Sequence, residues 1–138
     1  MIKYLHTNII TKDWKKLAEF YINVFGCELL LPERDLSGQW MEAGTGVENV
    51  HVRGAHLRLP GYGVNGPTIE LFQYNEFTPV KKQQINRQGF AHIAFHVDDV
   101  EFMLEKLLKN GGGPLGDVVQ HEVEGVGFLT FVYASDPE

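Results

Sequence analysis

Apolar and polar positions alternate along this chain with two different periods, and the same succession occurs twice. From Tyr4 to Ile10 the period is that of a strand: Leu5, Thr7 and Ile9 share one face, and Tyr4, His6 and Asn8 the other. From Trp14 the period lengthens to that of a helix. Trp14, Leu17, Ala18, Tyr21 and Phe25 form one stripe, with Asp13 placed as N-cap and Gly26 as C-terminal stop. The pattern returns in Phe90 to Val97, where Ile93, Phe95 and Val97 point one way and His92, Ala94 and His96 the other. A second stripe follows in Val100, Met103, Leu104, Leu107 and Leu108, opened by Asp99 and closed by Gly111 to Gly113. Each such side chain contributes about 1.5–3 kcal/mol when buried, so both helices are expected to dock on an apolar surface.

A shift of 86 residues superimposes the two copies, placing His6 on His92, Asp13 on Asp99, Glu19 on Glu105 and Gly26 on Gly112. Each copy therefore begins strand–helix, with a histidine on the strand face turned away from the helix. In the first copy further strands are predicted at Cys27 to Leu31, Glu48 to Leu59 and Thr68 to Tyr74, separated by turn-rich stretches such as Leu-Ser-Gly and Pro-Gly-Tyr-Gly-Val-Asn-Gly-Pro. The second copy offers strands near Gly116 to Glu122 and Gly127 to Ala134, then reaches Ser-Asp-Pro-Glu. A counterpart of Thr68 to Tyr74 is missing from it.

The 138 residues suit one domain, with module one at about 1–80 and module two at about 88–138. Apolar residues make up 43% and charged residues 22%, the balance of an ordinary soluble globular chain. A net charge of −6 argues against nucleic acid or an anionic membrane as partner. No apolar run has the length of a membrane span, and no signal peptide opens the chain, so a cytoplasmic location is expected. The single cysteine, Cys27, has no internal disulfide partner and no obvious histidine to activate it.

Two βαβββ copies with a histidine in each first strand resemble the vicinal oxygen chelate superfamily, which includes glyoxalase I, methylmalonyl-CoA epimerase, extradiol dioxygenases and bleomycin resistance proteins. The resemblance runs over essentially the whole chain. It is carried by His-Thr-Asn-Ile-Ile from His6, Thr-Ile-Glu-Leu-Phe from Thr68, Gly-Phe-Ala-His-Ile-Ala-Phe-His-Val-Asp-Asp-Val from Gly89 and the terminal Ala-Ser-Asp-Pro-Glu. It implies an α+β fold, two tandem βαβββ modules forming an open curved mixed sheet around a metal-binding cleft, with the last strand of the second module absent from this chain. It also implies a homodimer acting on a small molecule.

The family's ligand positions fall on His6, Glu70 and His92. The fourth, a glutamate a few residues past an Asp-Pro-Glu-Gly-type turn, would lie beyond Glu138. Alternation agrees for Glu70: it shares a face with Thr68, Phe72 and Tyr74, opposite Ile69 and Leu71. A carboxylate in so apolar a strand is expensive to bury unless paired, protonated or metal-bound. Two imidazoles with one or two carboxylates suit one divalent ion, Ni, Co, Zn, Mn or Fe. The expected substrate contacts are His96, two positions from His92 on the same face, Trp40, and Arg53, which an anionic substrate group could engage bidentately. Arg53 and Arg58 lie on opposite faces of the predicted third strand, so at most one reaches the cleft. His51, His56 and His121 have no matching partners and read as surface or turn residues.

The chemistry implied is that of a metal-dependent lyase or isomerase of the glyoxalase I/epimerase type. A proton alpha to a carbonyl is removed, with Glu70 as the catalytic carboxylate. Glutamate at position 70 favours the glyoxalase pattern, whereas His-Leu-Arg-Leu-Pro-Gly ahead of it looks more like the epimerase branch. An extradiol-type Fe(II) dioxygenase would leave Glu70 superfluous. A bleomycin-resistance-like binding protein would have no use for any ligand set.

Overall fold

The computed structural model describes residues 1–79 and 84–138. In the first half, β1 (His6–Ile10), α1 (Trp14–Phe25), β2 (Glu28–Ser37), α2 (Gln39–Thr45), β3 (His51–Arg58) and β4 (Thr68–Tyr74) follow one another. The four strands form a mixed sheet in the order β1-β4-β3-β2, in which β1 runs parallel to β4 and the other neighbours are antiparallel. The predicted elements are therefore present, with two additions. The second strand runs on to Ser37, its ladder with β3 broken between Leu30 and Arg34, where Pro32 has no N–H to give. The short helix α2 has only a glycine N-cap, Gly38, and no capping side chain, so nothing in the local pattern announces it.

The α1 stripe does what its spacing requires. Asp13 accepts a hydrogen bond from the Lys16 N–H, and Gly26 closes the helix in the left-handed region at φ 71°. Leu17, Ala18, Tyr21 and Val24 are buried against Ala55 and Leu57 of β3 and Ile69 and Leu71 of β4. That packing covers one face of the sheet and leaves the other, with Glu70 and Phe72, turned away from α1. On this open face α2 seats Met41 against Val50, Val52 and Phe72.

The second half contains α3 (Val100–Lys109), β5 (Gly113–Pro114), β6 (Val119–Val123), β7 (Gly127–Phe131) and β8 (Ala134–Ser135). Asp99 caps α3 as Asp13 caps α1, accepting from the Phe102 N–H at 2.9 Å. Two short ladders form, β5 with β8 and β6 with β7, both antiparallel. Here the structure departs from the sequence expectation. Phe90 to Val97 joins no ladder among the described residues, although its alternation survives: Ile93, Phe95 and Val97 are half-buried, and His92, Ala94 and His96 are exposed. Phe95 stacks on Phe25 of α1, ring centroids 3.9 Å apart and planes at 10°.

The reason lies in the sheet order of the first half, where β1 has one neighbour, β4. Among the described residues the second half has no counterpart of β4, so the segment bearing His92 has nothing to pair with. For the same reason β7 is exposed along its whole length and α3 has no buried residue, although Met103 and Leu107 pack on the edge of the α1 core. The C-terminal residues return to α1: Tyr21 donates its O–H to Asp136 at 2.9 Å, and the Lys12 N–H donates to the Glu138 carboxylate at 2.9 Å. No helix among the described residues is long and apolar enough to cross a membrane.

Candidate functional site

Register decides which side chains share the open face. Directly opposed residues lie on one face, so Glu70 keeps company with Asn8 on β1 and His56 on β3, and Thr68 with His6 and Arg58. Arg53 pairs instead with Gln73, on the α1 side of the sheet. There its Nε lies 3.6 Å from Asp35, whose carboxylate also engages His51, and the hydrogen bond from His51 lowers the Asp35 pKa. The open face carries Arg58, held by Glu28 at 2.7 Å, and Arg34, which the register sets opposite Gly54.

Glu70 is the centre of the cluster. Its side chain is 12% exposed, and both carboxylate oxygens are engaged: Oε2 lies 3.0 Å from His6 Nε2, and Oε1 lies 3.4 Å from His56 Nε2. The Asn8 amide donates to Oε2 at 3.4 Å. His56 in turn places Nδ1 2.9 Å from the Thr68 hydroxyl. The two imidazoles meet edge to face, centroids 5.5 Å apart. A buried carboxylate needs such partners, and this one has three. His6 Nδ1, by contrast, is buried and has no hydrogen-bond partner among the described residues. Burial lowers the His56 pKa; the Glu70 charge opposes this, and Arg34 and His6 add to it.

The close approach of β3 and β4 beneath the cluster requires Gly54. A Cβ there would run into the Leu71 carbonyl oxygen and meet the Phe72 ring at 2.8 Å.

His56 is thus a site neighbour that sequence reasoning assigned to the surface. The signal was available in part, since Ala55 and Leu57 face α1 and alternation must turn His56 the other way. What sequence could not supply was the register that sets it opposite Glu70.

The remaining candidates stand elsewhere. His92 is exposed and lies edge-on to Tyr133, centroids 5.3 Å apart. Among the described residues no three His, Cys, Asp or Glu side chains are gathered so as to hold a metal, so His92 does not join His6 and Glu70 in this structure. His92 and His96 both line a groove of about 350 Å³ between the 92–97 segment, α3 and residues 130–134, to which His6 and Glu70 do not contribute. Its place between that segment and β7 corresponds to the place of β4 between β1 and β3, which accounts for its apolar lining. Trp40, on α2, is 63% exposed. Burial pushes the Cys27 thiol up to about 11, so it supplies no nucleophilic thiolate near neutral pH.

The family model of the glyoxalase/bleomycin resistance protein/dioxygenase superfamily matches residues 3–138. The chain belongs to this superfamily. Among solved structures, a glyoxalase family protein from Bacillus cereus superimposes with a TM-score of 0.76 at 22% identity, over 88% of this chain and 80% of that one. A glyoxylase/bleomycin resistance protein/dioxygenase domain from Frankia sp. EAN1pec gives a TM-score of 0.59 at 18% identity, over 99% and 92% of the two chains. An integron cassette protein from the mobile metagenome of V. cholerae gives 0.51 at 19% identity, over 99% and 88%. These likenesses establish the glyoxalase fold. No curated protein sequence matches the chain.

Proposed function

We propose that this member of the glyoxalase superfamily is a metal-dependent lyase or isomerase that removes a proton alpha to a substrate carbonyl. The observation that carries the reading is the pairing of His6 with Glu70 on the open face at 3.0 Å, the Glu70 side chain 12% exposed and His6 half-buried. That separation is about what adjacent donor atoms adopt on one ion with 2.0–2.2 Å bonds. The donor chemistry, imidazole nitrogen beside carboxylate oxygen, suits Ni, Co, Zn, Mn or Fe. His6 and Glu70 would hold the ion, with His92 contributed by the second half. Bound there, a divalent ion supplies electron withdrawal from a substrate carbonyl and so acidifies the neighbouring C–H.

The chain's own groups account for the rest. A Glu70 carboxylate oxygen receives the proton, a contribution of about 10²–10⁴-fold. Asn8 and His56 keep that carboxylate oriented on the open face. Phe72 and Met41 form the apolar end of the same face, where water is excluded from the body of a small substrate. Arg58 and Arg34, rather than Arg53, are the arginines whose face could meet an anionic substrate group.

The test is proton exchange in deuterated water, followed by NMR at the carbon next to the carbonyl. The substrates are a thiohemiacetal of a 2-oxoaldehyde and a 2-substituted acyl thioester, each offered with protein loaded with one metal at a time. Metal-dependent deuterium incorporation, reduced at least about 100-fold by Glu70→Gln, is the expected result. Exchange that is absent with every metal, or unchanged in Glu70→Gln, contradicts the reading.

A further inference from the structure

We propose that Arg34 holds the acid end of the substrate, and that the substrate is a small carbonyl compound carrying one carboxylate. This rests on the reading of Glu70 as the group at work beside the carbonyl, and adds to it a second point of attachment and a substrate class.

The direction of Arg34 is fixed from both sides. Glu33 lies 3.9 Å from Lys15 of α1, and Asp35 lies 3.6 Å from Arg53 on the α1 side of the sheet. Arg34 stands between them and by alternation faces the other way. The register agrees: Arg34 is opposite Gly54, which is itself opposite Phe72, one row along from His56 and Glu70. Just before it the ladder is irregular, with Leu31, Pro32 and Glu33 standing against Ala55 alone. An irregularity of this kind re-aims the side chain that follows.

Arg34 is also the arginine of this sheet that has no carboxylate. Glu28 holds Arg58 and Asp35 engages Arg53, whereas Arg34 is half-buried and forms no ion pair among the described residues. Its Nη1 donates to the Pro32 carbonyl at 2.8 Å, which anchors the guanidinium and leaves the Nε and Nη2 donors for a ligand. Its charge is felt at His56, where it opposes protonation, so the guanidinium stands near the cluster.

Charge and shape select the partner. One unpaired guanidinium balances one negative charge, and its planar fork matches a carboxylate with two parallel hydrogen bonds. A phosphate group brings about −1.5 to −2 and calls for a second cation. The other arginine of this face, Arg58, is already neutralised by Glu28. β2 and β4 are two strand spacings apart, about 10 Å. With both side chains rising from the sheet, a chain of a few carbon atoms bridges them. It passes over Gly54, which raises no side chain, and beside the Phe72 ring.

The experiment is an NMR titration of the metal-free full chain with 4-oxopentanoate, its neutral amide 4-oxopentanamide, and inorganic phosphate. The acid is expected to bind the parent about 10-fold or more tighter than the amide. This comparison needs no variant. Arg34→Met, shown by thermal melting to fold, is expected to bind acid and amide alike. Arg34→Lys, which keeps the charge without the fork, should retain part of the preference, and Arg53→Met all of it. Equal affinity for acid and amide in the parent overturns the proposal, as does a preference that survives in Arg34→Met. Phosphate binding more tightly than 4-oxopentanoate overturns the substrate class. Because no metal is present, the two readings separate. An acid preference lost in Arg34→Met, beside no deuterium exchange with any metal, upholds Arg34 and sinks the proton-transfer reading. Metal-dependent exchange without an acid preference does the reverse.

Discussion

His6 stands on a strand bonded along its length to β4, whereas His92 stands on a segment with the same alternation that joins no ladder. Both are followed by a helix capped by an aspartate. What differs is the neighbour. Alternation specifies which side chains share a face, but a strand exists only when another strand satisfies its backbone. Where β4 is present, His6 is brought within 3.0 Å of a carboxylate. In the second half no described residues take the place of β4, and His92 lies edge-on to Tyr133.

The sharpest way to test this contrast is through stability. Leu71 in β4 is fully buried, whereas Leu129 in β7 is 40% exposed. Leu71→Ala is expected to lower the unfolding free energy by about 2–5 kcal/mol, and Leu129→Ala by less than about 1 kcal/mol. Urea titration measures both, and equal losses would erase the distinction between the halves.

A somewhat smaller effect comes from Cys27, which is 3% exposed at the end of α1. Its folded pKa of about 11 lies above the ordinary thiol value of 9.0, so the unfolded chain loses this proton first as pH rises. The stability tied to the thiol is therefore full below pH 9 and declines up to about pH 11, by at most about 2–3 kcal/mol. Unfolding of the parent should accordingly be more sensitive to alkali over that window than unfolding of Cys27→Ala. Parallel pH profiles for the two would place the thiol in water.

The backbone gives a further contrast. The Thr11 N–H, just past β1, donates to the Phe72 carbonyl at 2.9 Å. Among the described residues no backbone hydrogen bond is made by residues 91–97. Hydrogen exchange at Thr11 should be slower than in 91–97 by about 100-fold or more, relative to unstructured rates. Similar protection in the two regions would mean that the 91–97 segment has a partner strand.

Much of this arrangement was legible in the chain because it is local. The Asp13 and Asp99 caps, the Gly26 stop and the helical stripes each depend on residues within a turn or two, and the first-half strands with their faces followed from alternation. The short α2 was not legible, since Gly38 supplies no capping side chain and the helix is too brief for periodicity to register. Nor was the meeting of His56 with Glu70, because register across the loop Leu59 to Pro67 is fixed by packing of the whole sheet rather than by neighbours in sequence. The exchange of Arg53 for Arg58 on the open face has the same origin. The absence of a ladder at His92 is likewise non-local, being decided by whether another strand is available.

The central claim is that His6 and Glu70 are the first-half ligands of a divalent metal to which His92 also contributes. Its most direct test is metal content by plasma mass spectrometry of protein loaded with Ni²⁺, Zn²⁺ and Fe²⁺ in turn, comparing the parent with His6→Ala, Glu70→Gln and His92→Ala. The account predicts near-stoichiometric metal in the parent and its loss in all three variants. A parent that takes up no metal, or a His6→Ala variant that retains it fully, would contradict the account.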